Sequence, residues 1–220
     1  MYTSHIFIDL EMNPISREFP AEKEACRAEV IEIGAVRLDA DYNLTDRFTL
    51  FVRPRYSSEL NRHVAKLTGI RAEDLQDAPD FREAMEIFTD WIGTGNIRFY
   101  SWSMSDWWQL ADEGELKLGA LPDIFYESRW VDFQAVYTRL VGLSRANPLS
   151  LKNAIIAVEE HFDGAEHRAV NDAENSARLL QIVKRGQFPE KSRRIRAFFG
   201  QKDQEKPRIS AFADLLKTME

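Results

Sequence analysis

The sequence predicts an α/β layered domain, and three observations predict it. Short β-branched or aromatic runs at 5–10, 29–38 and 45–52 lie close together in the chain and read as strands. A helical pattern opening at Asp80, a further strand at 96–102, and a helix-rich second half with one last short strand follow them. The 220 residues are 44% hydrophobic with 14 Phe, enough to bury one substantial core, or a core plus an extension.

The first run, Ile6-Phe7-Ile8-Asp9-Leu10, is apolar and β-branched and predicts a buried strand. Residues 12–27 are polar, rich in Glu and broken by Pro14 and Pro20, and predict a loop. Residues 29–38 and 45–52 predict the second and third strands, joined by a tight Asp-Ala-Asp-Tyr-Asn turn and ended by Pro54. Three strands with short connections make an antiparallel meander. Residues 55–79 are polar and interrupted, with a short helix at 61–66. Asp80 and Glu83 sit like a capping-box pair at the head of a helix whose apolar face is Phe81, Ala84, Met85, Phe88, Trp91 and Ile92, with Gly93 as its stop. Strand 96–102 and helix 105–118 follow, then a strand at 129–133 and helices at 132–143 and 150–161. The pattern at 168–185 predicts the strongest late helix: Ala169, Ala173, Ala177 and Leu180 on one face, Lys184 and Arg185 in the last turn, Gly186 beyond. Residues 1–187 thus read as one domain and 188–220 as a helical C-terminal extension, with 209–216 amphipathic enough to pack back. Internal repeats are absent from the sequence.

Composition narrows the class. No run approaches the roughly 18 consecutive apolar residues of a membrane span, so no membrane partner is expected. The first residues lack a basic stretch followed by a long apolar run, and the single Cys26 fits a reducing cytoplasm, so a cytoplasmic protein is expected. The net charge of −7 does not suggest a protein that coats nucleic acid. Its distribution is uneven: residues 184–208 hold nine Lys/Arg against three acids, a net +6, and the rest of the chain carries −13. Such a segment could guide a polyanion towards an acidic site; it also fits a solvated charged tail.

The acids in and just after the strands carry the chemistry. Asp9 and Glu11 point to one side of the first strand, about 7 Å apart along the backbone. Buried carboxylates that close repel and lose water, and a hard divalent cation is the natural relief. Asp106 follows the fourth strand at the head of a helix, where sites form in α/β sheets but where an ordinary first-turn acid also belongs. His167 and Asp172 are five residues apart, about 140° around one helix, so they converge only if His167 lies in the loop before the helix, a loop that Gly164 permits, and Asp172 in the helix's second turn. An imidazole there can move a proton. Trp102, Trp107 and Trp108 fall at strand and helix spacing and are expected in the core rather than on a base-stacking surface.

Taken together, Asp9-Leu10-Glu11, Asp106 and His167-x4-Asp172 resemble the three motifs of the DEDDh branch of 3′→5′ exonucleases, within the ribonuclease H-like superfamily. Glu29-Val-Ile-Glu-Ile-Gly-Ala-Val is similar to the family's second strand, Phe51-Val-Arg-Pro with Lys66-Leu67-Thr68-Gly69-Ile70 to its substrate-end segment, and Trp102-Ser103-x-x-Asp106 to Eri-type and KapD-like members. The resemblance covers roughly residues 4–186. It implies a mixed five-stranded sheet flanked by helices. It implies hydrolysis of phosphodiester bonds from the 3′ end of single-stranded nucleic acid, RNA favoured, releasing nucleoside 5′-monophosphates. Two divalent ions, Mg²⁺ or Mn²⁺, are implied, held by Asp9, Glu11, Asp106 and Asp172, with His167 as general base. Met12, Leu67, Thr68 and Ser103 are the implied substrate contacts, Ser103 standing where relatives often have Gly. A homodimer is a frequent arrangement among such proteins. The alternatives are a DNA-directed proofreading or repair exonuclease, and a catalytically silent nucleic-acid-binding module.

Overall fold

Strand β1 (Ser4–Pro14) lies at the centre of the sheet, and its alternation explains why. Phe7 is fully buried on one face, and Ile6 and Ile8 on the other, so β1 must be covered on both sides. The computed structural model describes residues 2–57, 59–143, 148–158 and 161–186. The expected C-terminal extension 188–220, with its basic segment and its amphipathic 209–216, lies outside the described residues.

The sheet is five-stranded in the order β3-β2-β1-β4-β5. β2 (Ala28–Asp39) pairs antiparallel with β1 and with β3 (Leu44–Phe51), the expected meander. β4 (Ile97–Ser101) runs parallel to β1, and β5 (Trp130–Asp132) parallel to β4. The fold is ribonuclease H-like: a mixed sheet with helices on both faces.

One face carries α4 (Phe81–Ile92) and α5 (Ser105–Leu118); Phe81, Phe88 and Leu110 join Ile6, Ile8, Leu10 and Phe99 there. The other carries α6 (Phe133–Leu140), α7 (Leu151–Ala157) and α8 (Ala169–Lys184), with Phe133, Tyr137 and Leu180 against Phe7, Val36 and Tyr100. Each large apolar side chain buried this way contributes about 1.5–3 kcal/mol. The caps are legible in the residues: Asp80 accepts the Glu83 N–H at 3.0 Å, Ser150 the Asn153 N–H at 3.2 Å, and Asn61 the His63 N–H at 2.9 Å at the head of α2 (Arg62–Thr68).

Two expectations are corrected. Residues 12–27 are not a loop throughout: β1 continues to Pro14, across a register shift between Glu11 and Met12, and α1 (Pro20–Ala25) follows with Pro20 at its start. Trp108 is not a core residue: it is 57% exposed, whereas Trp102 packs on Phe133 and Tyr137 and Trp107 donates to the Phe125 carbonyl. A short helix, α3 (Ala72–Gln76), also lies inside the stretch expected to be broken.

Candidate active site

The site forms where β1, β2, the head of α5 and the head of α8 meet. Along β1, Asp9 and Glu11 lie on the same side as Phe7, and both are half-buried. Across the antiparallel ladder Asp9 faces Gly34 and Glu11 faces Glu32, so that side of the sheet presents three acids and a glycine. The glycine is required. A Cβ at Gly34 would lie 2.0 Å from the Val170 nitrogen and 2.1 Å from the Ala169 carbonyl carbon, so the first turn of α8 rests directly on β2.

Asp106 enters from the other neighbour. β4 pairs with β1 only as far as Phe7 opposite Tyr100. Beyond that point Asp106 Oδ1 accepts the Leu10 N–H at 3.2 Å, so the carboxylate continues the ladder where the strand has ended. It is 5% exposed, which sets it apart from an ordinary first-turn acid.

His167 and Asp172 come from the head of α8. His167 lies in the turn before the helix, as convergence requires, and takes φ 60°, a left-handed conformation uncommon for a residue with a Cβ. Asp172 lies in the first turn, not the second, because the helix begins at Ala169. Gly164, at φ +78°, is packed so closely on Asn171 that a Cβ there would meet its side chain at 2.4 Å. Asn175 holds the start of the same loop, accepting the Asp163 N–H at 3.1 Å and donating to its carbonyl at 3.0 Å. The result is that one oxygen of Glu11, one of Asp172 and a ring nitrogen of His167 all lie within 4.8 Å of one another.

The electrostatics are those of an uncompensated acidic pocket. Burial drives the Asp9 carboxyl well above the usual range, and Asp106, Asp172, Glu11 and Glu32 add to it. Burial, then Asp172 and Glu32, push Glu11 up to about 8. Asp106 and Asp172 are raised too, again first by burial; the Leu10 N–H works against the shift in one, and the His167 N–H in the other. Arg168 draws Glu11 the other way, but its guanidinium is already engaged by Glu32. Among the described residues, no hydrogen-bond donor reaches the buried Asp172 Oδ1. Hard oxygen ligands, an orphan carboxylate oxygen and excess negative charge fit a divalent cation.

The expected substrate contacts are differently placed. Leu67, at the end of α2, is 43% exposed. Thr68 is buried, and its hydroxyl donates to the Val64 carbonyl at 2.9 Å while accepting the Ile70 N–H at 3.1 Å, so it serves its own helix end. Met12 is half-buried beside the α4–α5 core, and Ser103 Oγ pairs with Ser105 Oγ at 2.6 Å. Sequence reasoning missed Glu32. In Val-Ile-Glu-Ile-Gly it reads as one polar residue of a strand, and only the pairing with Glu11 reveals it.

Residues 6–100 match the model of the exonuclease family. The matched stretch is a little under half of the chain. That match spans β1 to β4 and includes Asp9 and Glu11. The chain is 26% identical over 184 residues to "ERI1 exoribonuclease 2" of Danio rerio, covering 73% of this chain and 32% of that protein. It is 24% identical over 161 residues to "3′-5′ exoribonuclease 1" of Rattus norvegicus, covering 69% of this chain and 45% of that protein. The chain therefore spans less than half the length of these curated relatives. Among solved structures it is similar to the nuclease domain of 3′hExo, a DEDDh family member bound to rAMP, with a TM-score of 0.71, 23% identity, and coverage of 84% of this chain and 94% of that one.

Proposed function

We propose that this chain is a DEDDh-type 3′→5′ exonuclease that hydrolyses phosphodiester bonds from the 3′ end of single-stranded nucleic acid, with RNA favoured, and releases nucleoside 5′-monophosphates. The observation that carries the reading is the convergence of Glu11, His167 and Asp172 ligand atoms within 4.8 Å, beside Asp9 and Asp106, with no donor to Asp172 Oδ1 among the described residues. The preference for RNA is supported by the two relatives, both exoribonucleases.

Asp9, Glu11 and Asp172 would hold two divalent ions, Mg²⁺ or Mn²⁺, with Asp106 in support. When bound, the ions stabilise charge developing on the phosphoryl oxygens and lower the pKa of the attacking water. His167 takes a proton from that water as general base. Water adds to the terminal phosphorus, the bond to the 3′ oxygen breaks, and the shortened chain keeps a 3′-hydroxyl. Met12 and the exposed Leu67 give the terminal nucleotide apolar contact. Thr68, its hydroxyl already engaged, and Ser103 complete the pocket through their backbone. The extension 188–220, with the basic residues from Lys184 onward, guides the polyanion towards the acidic pocket. A cytoplasmic setting fits the buried thiol of Cys26, and size-exclusion chromatography tests whether the domain forms the homodimer that the resemblance implies.

The test is release of nucleotides from matched 5′-labelled single-stranded RNA and DNA oligonucleotides, with Mn²⁺ or with chelator, by the wild type and Asp9→Ala. We expect metal-dependent shortening from the 3′ end, faster on RNA, and none with Asp9→Ala. Faster cleavage of DNA would move the reading to a DNA-directed proofreading or repair enzyme. Tight binding without any cleavage would move it to a silent nucleic-acid-binding module.

A further inference from the structure

We infer that Glu32 and Arg168 form a clamp of positioning residues that sets the place of His167 and Asp172 and keeps a fifth carboxylate out of the metal-binding group. The inference rests on the nuclease reading above and adds two residues that the motif resemblance assigns no role.

Glu32 is fully buried at the middle of β2, yet its carboxylate is saturated. Oε1 accepts from the Arg168 guanidinium at 2.7 and 3.1 Å and from the Thr49 hydroxyl at 3.2 Å. Oε2 accepts from Arg168 Nε and from the Ala169 backbone N–H, both at 3.2 Å. That N–H is the first of α8, one of the amides a helix leaves without an internal partner. Glu32 is therefore the cap of α8, supplied by the sheet because Arg168, at the cap position, makes no side-chain cap of its own. The guanidinium also lies over the Phe51 ring, 5.4 Å from its centre.

Two consequences follow for the site. Glu32 and Gly34 stand two residues apart on one side of β2, so the strand that admits the first turn of α8 also anchors it. His167, next to Arg168, is held in its left-handed turn between this anchor and the Asn175 contacts on the helix side. Second, Glu32 faces Glu11 directly across the ladder, where like charges repel. The fork of Arg168 occupies Glu32 and leaves Glu11 for the cation. Removing Arg168 alone would free a buried carboxylate opposite Glu11; removing both charges would not.

The experiment compares wild type, Arg168→Lys, Arg168→Ala, Glu32→Gln and the Glu32→Gln/Arg168→Ala double variant. Measurements are kcat and KM on a 5′-labelled single-stranded RNA, Mn²⁺ affinity by calorimetry, and amide hydrogen exchange at 164–170. Arg168→Ala should lose about ten- to a hundredfold in kcat, the range for residues that orient ligands, with KM within about twofold. Its amides at 164–170 should exchange faster, and its Mn²⁺ dissociation constant should change. Arg168→Lys should fall between. The double variant should be about threefold or more faster than Arg168→Ala, because the uncompensated charge is gone. Wild-type kcat and exchange in Arg168→Ala would overturn the inference, as would a double variant no better than Arg168→Ala. If the wild type shows no metal-dependent cleavage, the nuclease reading fails, and the exchange and Mn²⁺ measurements still decide the clamp.

Discussion

Two groups of buried acids flank this sheet, one at the head of α5 and one nearer its end, and they are built in opposite ways. In the first, Glu29 and Glu113 are both fully buried and share Lys117, whose Nζ lies 2.7 and 2.6 Å from them. Every carboxylate oxygen has at least one donor: besides Lys117, Glu29 accepts the Arg55 and Tyr56 N–H groups and the Ser57 hydroxyl, and Glu113 accepts the Val30 N–H and the Gln109 amide. Burial alone would pull the Lys117 ammonium down, but Glu113 and Glu29 hold it above its ordinary value. In the second group, burial and then neighbouring carboxylates raise Asp9, Glu11, Asp106 and Asp172, Arg168 is engaged by Glu32, and among the described residues one oxygen of Asp172 has no donor. The first group closes a structural joint between α5, β2 and the chain after β3. The second has no such internal cation among the described residues, Arg168 being taken by Glu32. Burial of acids does not mark a site; burial without an internal counter-charge does.

The largest effect that can break this comparison is Lys117→Met. It should cost about 3–5 kcal/mol, because it strands two buried carboxylates. Urea unfolding with and without Mn²⁺ checks it: the loss should be equal in both, and Glu29→Gln/Glu113→Gln added to Lys117→Met should recover much of it. Rescue by Mn²⁺ would mean that the two groups are alike.

A smaller effect of opposite sign is expected in the other group. Asp9→Asn relieves repulsion and the desolvation of a charge, so the metal-free protein should gain about 2–4 °C in Tm, the shift that roughly 1 kcal/mol makes in a chain of this size. The same variant should lose most of the rise that Mn²⁺ gives the wild type. A lower Tm in metal-free Asp9→Asn would show that the carboxylate is compensated from within.

The mildest test is pH. The Glu11 carboxyl is raised in the folded protein, from 4.5 to about 8, so its contribution to stability is fully present below 4.5 and is lost as pH rises through about 8. Metal-free Tm should therefore fall across that interval. Mn²⁺ binds the ionised carboxylates, so its stabilisation should grow over the same interval. A flat metal-free profile by differential scanning fluorimetry would contradict the shift.

Much of this was legible in the residues. The β1 alternation, the Asp80 cap, the Ala-rich face of α8 and the order of the strands follow from local periodicity, and the motif acids stand where strands end or helices begin. Three features were not legible, each for a physical reason. The register shift at Glu11 and Met12 breaks the alternation, so the last residues of β1 read as loop. Trp108 shares the spacing of buried aromatics, but α5 turns it outward, opposite Asp106. The importance of Glu32 depends on which residue it faces across the ladder and on a helix more than a hundred residues later, and neither is encoded in its neighbours.

The placement of α8 bears on the order in which the acidic pocket is assembled. Every sheet strand is translated before His167, and Asp9, Glu11 and Asp106 can gather while the nascent chain is still tethered. Asp172 and the anchoring N–H of Ala169 emerge only near the end of the described domain. The four acids can thus come together only once α8 has been made and seats on Gly34.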